Sequence, residues 1–466
     1  MKSNRRDFLK ISSLAGMSLA STNVMGQGMG ERPQRPTKGT VNMSGYVAPK
    51  LETVRIGFIG LGNRGPNAVE RMSKIEGVDI KILCDLRPEK ANAAKASLEK
   101  TNHKPSILTG GENEWKKACE SKDIDLIYIA TPWKLHTPMA VYAMEHGKHV
   151  AIEVPSAVTV EECWQLVETS EKTKQHCMIL ENCCYDFFEL LTLNMGRQGY
   201  FGEIVHAEGA YIHHLLDSNF SKDKYFEMWR LKENLRHGNL YPTHGLGPIA
   251  QALDINRGDR MDYLVSMSSD DFQMGAMAKE LAAKDDFYKP YVGKTFRGNM
   301  NTTTIRTVKG KTMMIQHDVT SPRPYSRIHL VSGTKGTALK YPEPGKISNS
   351  HEGWLDDEQF KLVEEKYAPP IVKKVGEMAK EIGGHGGMDF LMDWRLIDCL
   401  RNGLPLDIDV YDAAAWSSIA PLTEKSVANR SSAVDVPDFT RGNWKTNQPV
   451  DVFLQKGGTT KVIMGG

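Results

Sequence analysis

No apolar stretch of the 466-residue chain approaches the ~18 residues that a membrane-spanning helix needs. Charge of either sign is not in excess: 59 Lys and Arg face 57 Asp and Glu, a formal net charge of +2. Without the first 27 residues, where Lys2, Arg5, Arg6 and Lys10 outweigh Asp7, the balance is −1. Such neutrality gives no electrostatic ground for nucleic acid or an anionic membrane as a partner. The seven cysteines (Cys84, Cys119, Cys163, Cys177, Cys183, Cys184 and Cys399) form no CxxC pair and no zinc-like Cys/His spacing. That argues against a disulfide framework or a metal site and leaves them as small buried hydrophobes. There is no internal repeat of fixed period and no long low-complexity segment. What is there is ordinary for a globular enzyme of two or three domains: 40% hydrophobic and 25% charged residues.

The first 27 residues read as an export signal rather than fold. Asn4-Arg5-Arg6-Asp7-Phe8-Leu9-Lys10 is a twin-arginine signature, followed by the apolar ISSLAGMSLA. The expected location is therefore the periplasm or another extracytoplasmic space. Residues 28–50, rich in Gly, Pro and polar groups, read as a linker.

From residue 51 to about 184, continuous apolar runs alternate with helix-like stretches. The strand-like runs are VRIGFIG (54–60), DIKILCD (79–85), DLIYIAT (125–131), HVAIEVP (149–155) and CMILENC (177–183). Helices are expected over about 66–75, 88–100, 137–146 and 160–174. The last opens on a Thr159-x-x-Glu162 capping box. This pattern predicts a parallel sheet covered on both faces, a doubly wound Rossmann α/β domain. Residues 185–466 differ. Longer, half-alternating strands at 204–214, 262–269, 301–308, 311–319 and 326–333 predict an α+β domain with a large, mainly antiparallel, open-faced sheet. Lys309-Gly310 reads as a tight turn, and 387–402 and 411–428 as helices. The exposed sheet face is compatible with a homo-oligomer.

Gly60-Leu61-Gly62-Asn63-Arg64-Gly65 is GxGxxG between the first strand and the first helix, and Asp85 ends the second strand about 20 residues on. Together they predict a dinucleotide site. Gly60 permits the turn, Gly62 the approach of the pyrophosphate and Gly65 close helix packing, while the helix N-terminus stabilises phosphate charge. Asp85 is placed to accept from ribose hydroxyls and to repel a 2′-phosphate, which favours NAD over NADP; Arg87 is the one opposing signal. Trp133, Lys134, Leu135 and His136, then Glu153, Val154 and Asn182, follow the next three strands at the same carboxyl edge, where ligands of open α/β sheets bind.

GFIGLGNRG and ATPWKLHTPMAVYAMEHGKHVAIEVPSA resemble the glucose-fructose oxidoreductase/inositol dehydrogenase (Gfo/Idh/MocA) family, over nearly everything after residue 50. The resemblance implies nicotinamide at the junction of the two domains and a sugar or polyol substrate. The departure is Val154, where that family's Glu-Lys-Pro motif has a lysine. EVPSAVTVEECWQLVE, LYPTHGLGPIAQALDINRGDR and GGHGGMDFLMDWRLIDCL resemble one branch, glycoside hydrolase family 109, the NAD-dependent α-N-acetylgalactosaminidases. That branch implies hydrolysis of terminal α-linked N-acetylgalactosamine by oxidation at carbon 3, elimination, water addition and re-reduction, with tightly bound, recycled NAD+ and no net redox. It needs no opposed carboxylate pair, and a self-recycling cofactor suits a compartment where NAD is scarce.

The same resemblance points to Tyr241 and His244 as the proton-handling centre, which explains a dispensable lysine at 154. It implies substrate contacts from Tyr211, Arg230, Tyr241, Pro242, Thr243, His244 and Tyr325. From the residues alone, Tyr241 and His244 share a face if their segment is helical, and Tyr241 beside cationic groups is a candidate phenolate. Tyr211 and Tyr325 read equally as core aromatics, Arg230 as a surface ion-pairing arginine, and His385 as a loop contact or nothing. His213 and His214 face opposite ways on a strand, so only one can line a site. Two alternatives stand beside the glycosidase: an exported NAD(P)-dependent sugar dehydrogenase or sugar–sugar oxidoreductase, and a non-catalytic NAD- or sugar-binding protein.

Overall fold

A computed structural model describes residues 41–463; the twin-arginine leader lies outside them. Residues 41–50, at the end of the expected linker, lie against the body of the protein. Met43 and Ala48 are buried, and the Met43 amide donates to the Tyr411 hydroxyl at 3.2 Å.

The apolar runs form β1 (Val54–Ile59), β2 (Val78–Cys84), β3 (Ser106–Leu108), β4 (Leu126–Ile129), β5 (His149–Ile152) and β6 (Cys177–Ile179). They pair in parallel in the order β3-β2-β1-β4-β5-β6. This is the doubly wound Rossmann order, whose switch point lies between β1 and β4. The expected helices appear as Gly65–Met72, Pro88–Ala96, His136–Glu145 and Val160–Thr173. The capping box holds: the Glu162 amide donates to Thr159 Oγ1 and the Thr159 amide to Glu162 Oε2, each at 3.1 Å. Strand β3 was not foreseen; three half-exposed residues carry no periodic signal.

The second sheet runs β13-β12-β11-β7-β10-β9-β8-β14. Its strands are β7 (Ile204–Ile212), β8 (Met261–Ser268), β9 (Asn301–Thr307), β10 (Thr312–Asp318), β11 (Leu330–Gly333), β12 (Thr337–Leu339), β13 (Lys346–Ser348) and β14 (Val434–Asp435). All pairs are antiparallel except β7 with β10, which run parallel. The long excursion after β7 supplies the crossover that a parallel neighbour requires. The Lys309-Gly310 turn joins β9 to β10, with Thr307 and Lys311 bonded across it at 2.9 Å. The strand expected over 326–333 is broken: Ile328 has φ 42°, and regular pairing starts only at Leu330. Arg327 there is buried, reaching Asp186 and Glu189 at 2.6 Å.

Helix Val410–Ala428 packs on helix Val160–Thr173, on β6 and on β8, so it ties the two sheets together. Helix Thr243–Ala252 packs on β7. Glycine on both sides permits that approach: a Cβ on Gly209 would collide with Gly245, and one on Gly245 with Ala210. The opposite sheet face leaves Val205, Val265 and Met267 exposed.

Five buried histidines set a pH dependence. Burial pushes His149 down to about 4 and His176 and His329 to about 3, and lowers His136 and His317 as well. A group that folds neutral but is protonated when unfolded stabilises the fold only above its unfolded pKa of about 6.5. Buried Glu189, raised to about 7, and Asp393 and Asp409, raised to about 6, oppose this by holding protons only when folded. Five histidines outnumber three carboxyls, so stability should still fall from pH 6.5 towards pH 4.5, by about 1.4 kcal/mol per pH unit for each fully linked histidine in excess. Chemical denaturation at pH 7.5 and pH 5 should differ by several kcal/mol. Equal midpoints at the two pH values would contradict this.

Candidate active site

A cavity of about 690 Å³ opens at the β1/β4 switch point, a size typical of small-molecule sites. The sequence-predicted residues Gly60, Gly62, Asn63, Arg64, Asp85, the Trp133–His136 run, Glu153 and Val154 line it, and so do Arg230 and Tyr241 from the second half. Its floor fits a dinucleotide. A Cβ on Gly65 would collide with the Gly60 carbonyl, so helix Gly65–Met72 can start this close to β1 only with glycine there. Where Gly62 lacks a Cβ, the nearest atom is Arg87 Nη2 at 3.4 Å, which leaves backbone open to a ligand. Gly65 itself and Asn182 stand behind the lining.

Asp85 with Arg87, and Arg64 with Glu153 and Asp389, are mutually paired. Asp85 Oδ2 accepts from the Leu61 amide at 2.7 Å, and Oδ1 from the Arg87 amide (2.9 Å) and Nε (3.1 Å). The carboxylate thus braces the glycine turn and occupies Arg87, the residue that argued for NADP. Arg64 bridges Glu153 (3.1 Å) and Asp389 (3.2 Å). Burial opposes its charge, but these two carboxylates raise its pKa well above the ordinary value. His385, left open by sequence, accordingly has a place: Nδ1 lies 2.9 Å from Asp389 and 3.3 Å from Arg64 Nη1. Asn182 donates to the other Asp389 oxygen. His136 lines the cavity with its ring, but both its nitrogens meet backbone carbonyls, Pro155 and Thr131, at 2.7 Å. It clamps the ends of β4 and β5 together.

A second cluster adjoins the first through Tyr241. The Tyr241 ring stacks on Trp133 (centroids 5.5 Å, 21°), packs on Tyr211 at 4.7 Å and meets His244 edge-on at 4.9 Å. Tyr325 stands edge-on to Tyr211 (6.3 Å) and His213 (5.2 Å), and the Tyr211 hydroxyl bonds His213 Nδ1 at 2.9 Å. Pro242 caps helix Thr243–Ala252 and Thr243 is buried at its start, so Tyr241 precedes the helix while still contacting His244. Arg230 is not a surface ion-pairing residue. Its guanidinium lies over Tyr241 (5.2 Å), Tyr225 (5.4 Å) and Trp133 (5.5 Å), and among the described residues it makes no ion pair.

Tyr241 as a phenolate needs correction. Burial, the largest influence, raises its pKa well above the ordinary value, and the neighbouring Arg230 charge does not reverse that. The structure favours the neutral phenol, a proton donor. His244 is complementary: its Nδ1 lies 2.7 Å from Oε1 of Glu181, a fully buried carboxylate that also accepts from the Cys183 amide at 3.1 Å. Burial alone would raise Glu181, yet His244 and these hydrogen bonds outweigh it, so its pKa falls. An ionised carboxylate only accepts, which puts the hydrogen on Nδ1 and leaves Nε2 for chemistry. Ligand atoms of Glu181, Cys183 and His244 lie within 4.8 Å of one another. Burial pushes the Cys183 thiol well above its ordinary value, and it donates to Asn182 Oδ1 at 3.6 Å, so it stands as a thiol rather than a thiolate ligand.

Comparison with known proteins agrees with both halves. The pattern described as "Glycosyl hydrolase 109, C-terminal domain" matches residues 185–446, and that of the "Oxidoreductase family, NAD-binding Rossmann fold" matches 54–181. The chain belongs to glycoside hydrolase family 109. "Glycosyl hydrolase family 109 protein 1" of Bacteroides fragilis is 52% identical over 431 residues, 88% of this chain and 90% of that protein. A second B. fragilis protein, "Alpha-N-acetylgalactosaminidase", is 52% identical over 415 residues, 88% of this chain and 97% of its own. Among solved structures, levoglucosan dehydrogenase in complex with NADH superposes with TM-score 0.61 at 17% identity, covering 83% of this chain and all of that one. Scyllo-inositol dehydrogenase from Lactobacillus casei, with bound NAD(H) and scyllo-inositol, gives 0.58 at 14%, covering 82% and 99%. At such identities these two share the fold.

Within this family 109 chain, three contributors escaped the sequence reading. Glu181 directly precedes the recognised Asn182 at the tip of β6, and an acid at a sheet's carboxyl edge was the available signal. Asp389 lies over two hundred residues from Asn182, a contact that no local pattern announces. His213 was weighed only against His214; strand alternation puts it on the side of Tyr211, and His214 is exposed.

Proposed function

We propose that this chain removes terminal α-linked N-acetylgalactosamine from glycans outside the cytoplasm, after export by the twin-arginine route, using a resident NAD+. The reading rests on one observation above others: Tyr241 belongs to both the dinucleotide cavity and the Tyr211/His244/Tyr325 cluster. A sugar held by that cluster lies against the end of the cavity where nicotinamide belongs. A bound NAD+ would supply the hydride acceptor for carbon 3, whose hydroxyl proton leaves to water, and the donor that restores both after elimination and water addition. Arg64, Asp85 and the glycine turn are the groups that would hold it, with Asp85 set against a 2′-phosphate.

The chain's own residues move protons. His244 Nε2 takes the proton from carbon 2, which the carbon-3 ketone has acidified, and Glu181 holds the imidazole and stabilises its protonated form. The neutral Tyr241 phenol gives a proton to the oxygen leaving carbon 1. Val154 is apolar and buried and moves no proton, which fits a site whose proton traffic runs through Tyr241 and His244. Tyr211, Tyr325 and Arg230 orient the sugar. Purified protein should release p-nitrophenol from its α-N-acetylgalactosaminide without added cofactor. No release, with NADH accumulating from free sugars and added NAD+, would make it a net dehydrogenase instead.

A further inference from the structure

The cavity has a wall that neither the glycine fingerprint nor the strand-tip residues account for. After β7 the chain turns back over the dinucleotide-binding half, and all of residues 223–230 except Met228 line the cavity together with Gly60, Gly62, Asn63 and Arg64. Two contacts latch this strap to the far side. The Asn63 amide group donates to the Lys224 carbonyl at 2.9 Å, and the Phe226 ring lies 5.0 Å from the Arg87 guanidinium. At its far end the strap is anchored in the site: Trp229 meets Trp133 edge-on at 5.3 Å, and Tyr225 packs on Trp229 at 5.5 Å. Between the Phe226 latch and the Trp229 anchor, Glu227 (φ 52°) and Met228 (φ 56°) are two successive left-handed residues without glycine, a costly geometry held by the burial of Met228. That bend turns Phe226 out over Arg87 while Met228 points into the core.

We propose that residues 223–230 form a second-domain wall of the NAD site, which retains the adenosine half of the dinucleotide. The inference rests on the resident-NAD reading above and explains how such a cofactor is kept. Phe226 reaches Arg87, itself fixed by Asp85, the residue that addresses the adenosine ribose. A dinucleotide in the cavity is therefore enclosed between the Gly60–Arg64 turn and the strap, and it leaves only when the Asn63–Lys224 and Arg87–Phe226 latches part.

Phe226 is 40% exposed, so its truncation should spare the fold. Protein as purified, loaded with labelled NAD+ and passed through gel filtration, should retain label. Phe226→Ala should release it about tenfold faster, and Phe226→Tyr at close to the wild-type rate. In wild-type protein stripped of nucleotide, adding NAD+ should slow tryptic cleavage after Lys222, Lys224 and Lys232. Release from Phe226→Ala at the wild-type rate, or cleavage indifferent to NAD+, would overturn the strap while leaving the NAD site standing. Wild-type protein that binds no NAD+ at all would overturn the resident-cofactor reading and the strap with it.

Discussion

Tyr241→Phe should lose at least about 10³-fold in turnover of an aryl α-N-acetylgalactosaminide, within the range ascribed to a positioned acid or base. The substitution removes one oxygen. The ring remains to stack on Trp133 and pack on Tyr211, so cavity shape and NAD content should be unchanged. This separation gives the prediction its force: a loss of activity together with bound nucleotide would mean only that the wall between the two clusters had collapsed. Measured kcat beside acid-released NAD per chain distinguishes the cases. An active Tyr241→Phe enzyme would remove the phenol from the proton path.

Glu181→Gln should lower kcat about 10²- to 10⁴-fold, with smaller change in KM. Glutamine has the same shape and still offers one oxygen to His244 Nδ1. It lacks the charge that fixes the tautomer and stabilises the protonated ring. Its NH₂ group takes the place of Oε2, because Oε1 accepts from both His244 and the Cys183 amide. Because Glu181 lies behind His244, away from the cavity lining, NAD binding should survive. Activity within a few-fold of wild type would show that His244 does not depend on this carboxylate, and its assignment as the base would fall.

The dinucleotide-binding half was readable almost residue by residue, because a buried parallel sheet writes itself as continuous apolar runs with glycine and acid at fixed offsets. The second half was readable as strands but not as a site. Its functional groups come from β7, from the segment entering helix Thr243–Ala252, and from a loop before β11. Only the packing of Gly209 on Gly245 brings Tyr211 and His244 within 5.3 Å. Family resemblance supplied Tyr211, Arg230 and Tyr325; composition and spacing left each of them ambiguous. The roles of Glu181 and Asp389 became visible in three dimensions, where one orients His244 and the other joins Arg64 to Asn182. The ionisation of Tyr241 departs from expectation for a related reason: charge proximity is guessable from sequence, but the depth of burial is not.

The most direct test of the account is hydrolysis in deuterium oxide, with the released N-acetylgalactosamine examined at carbon 2 by NMR. Removal and return of the carbon-2 proton through His244 predicts deuterium at that position, with no net NADH in the absorbance at 340 nm. Sugar released with only hydrogen at carbon 2 would mean direct displacement at carbon 1, contradicting the oxidation–elimination route.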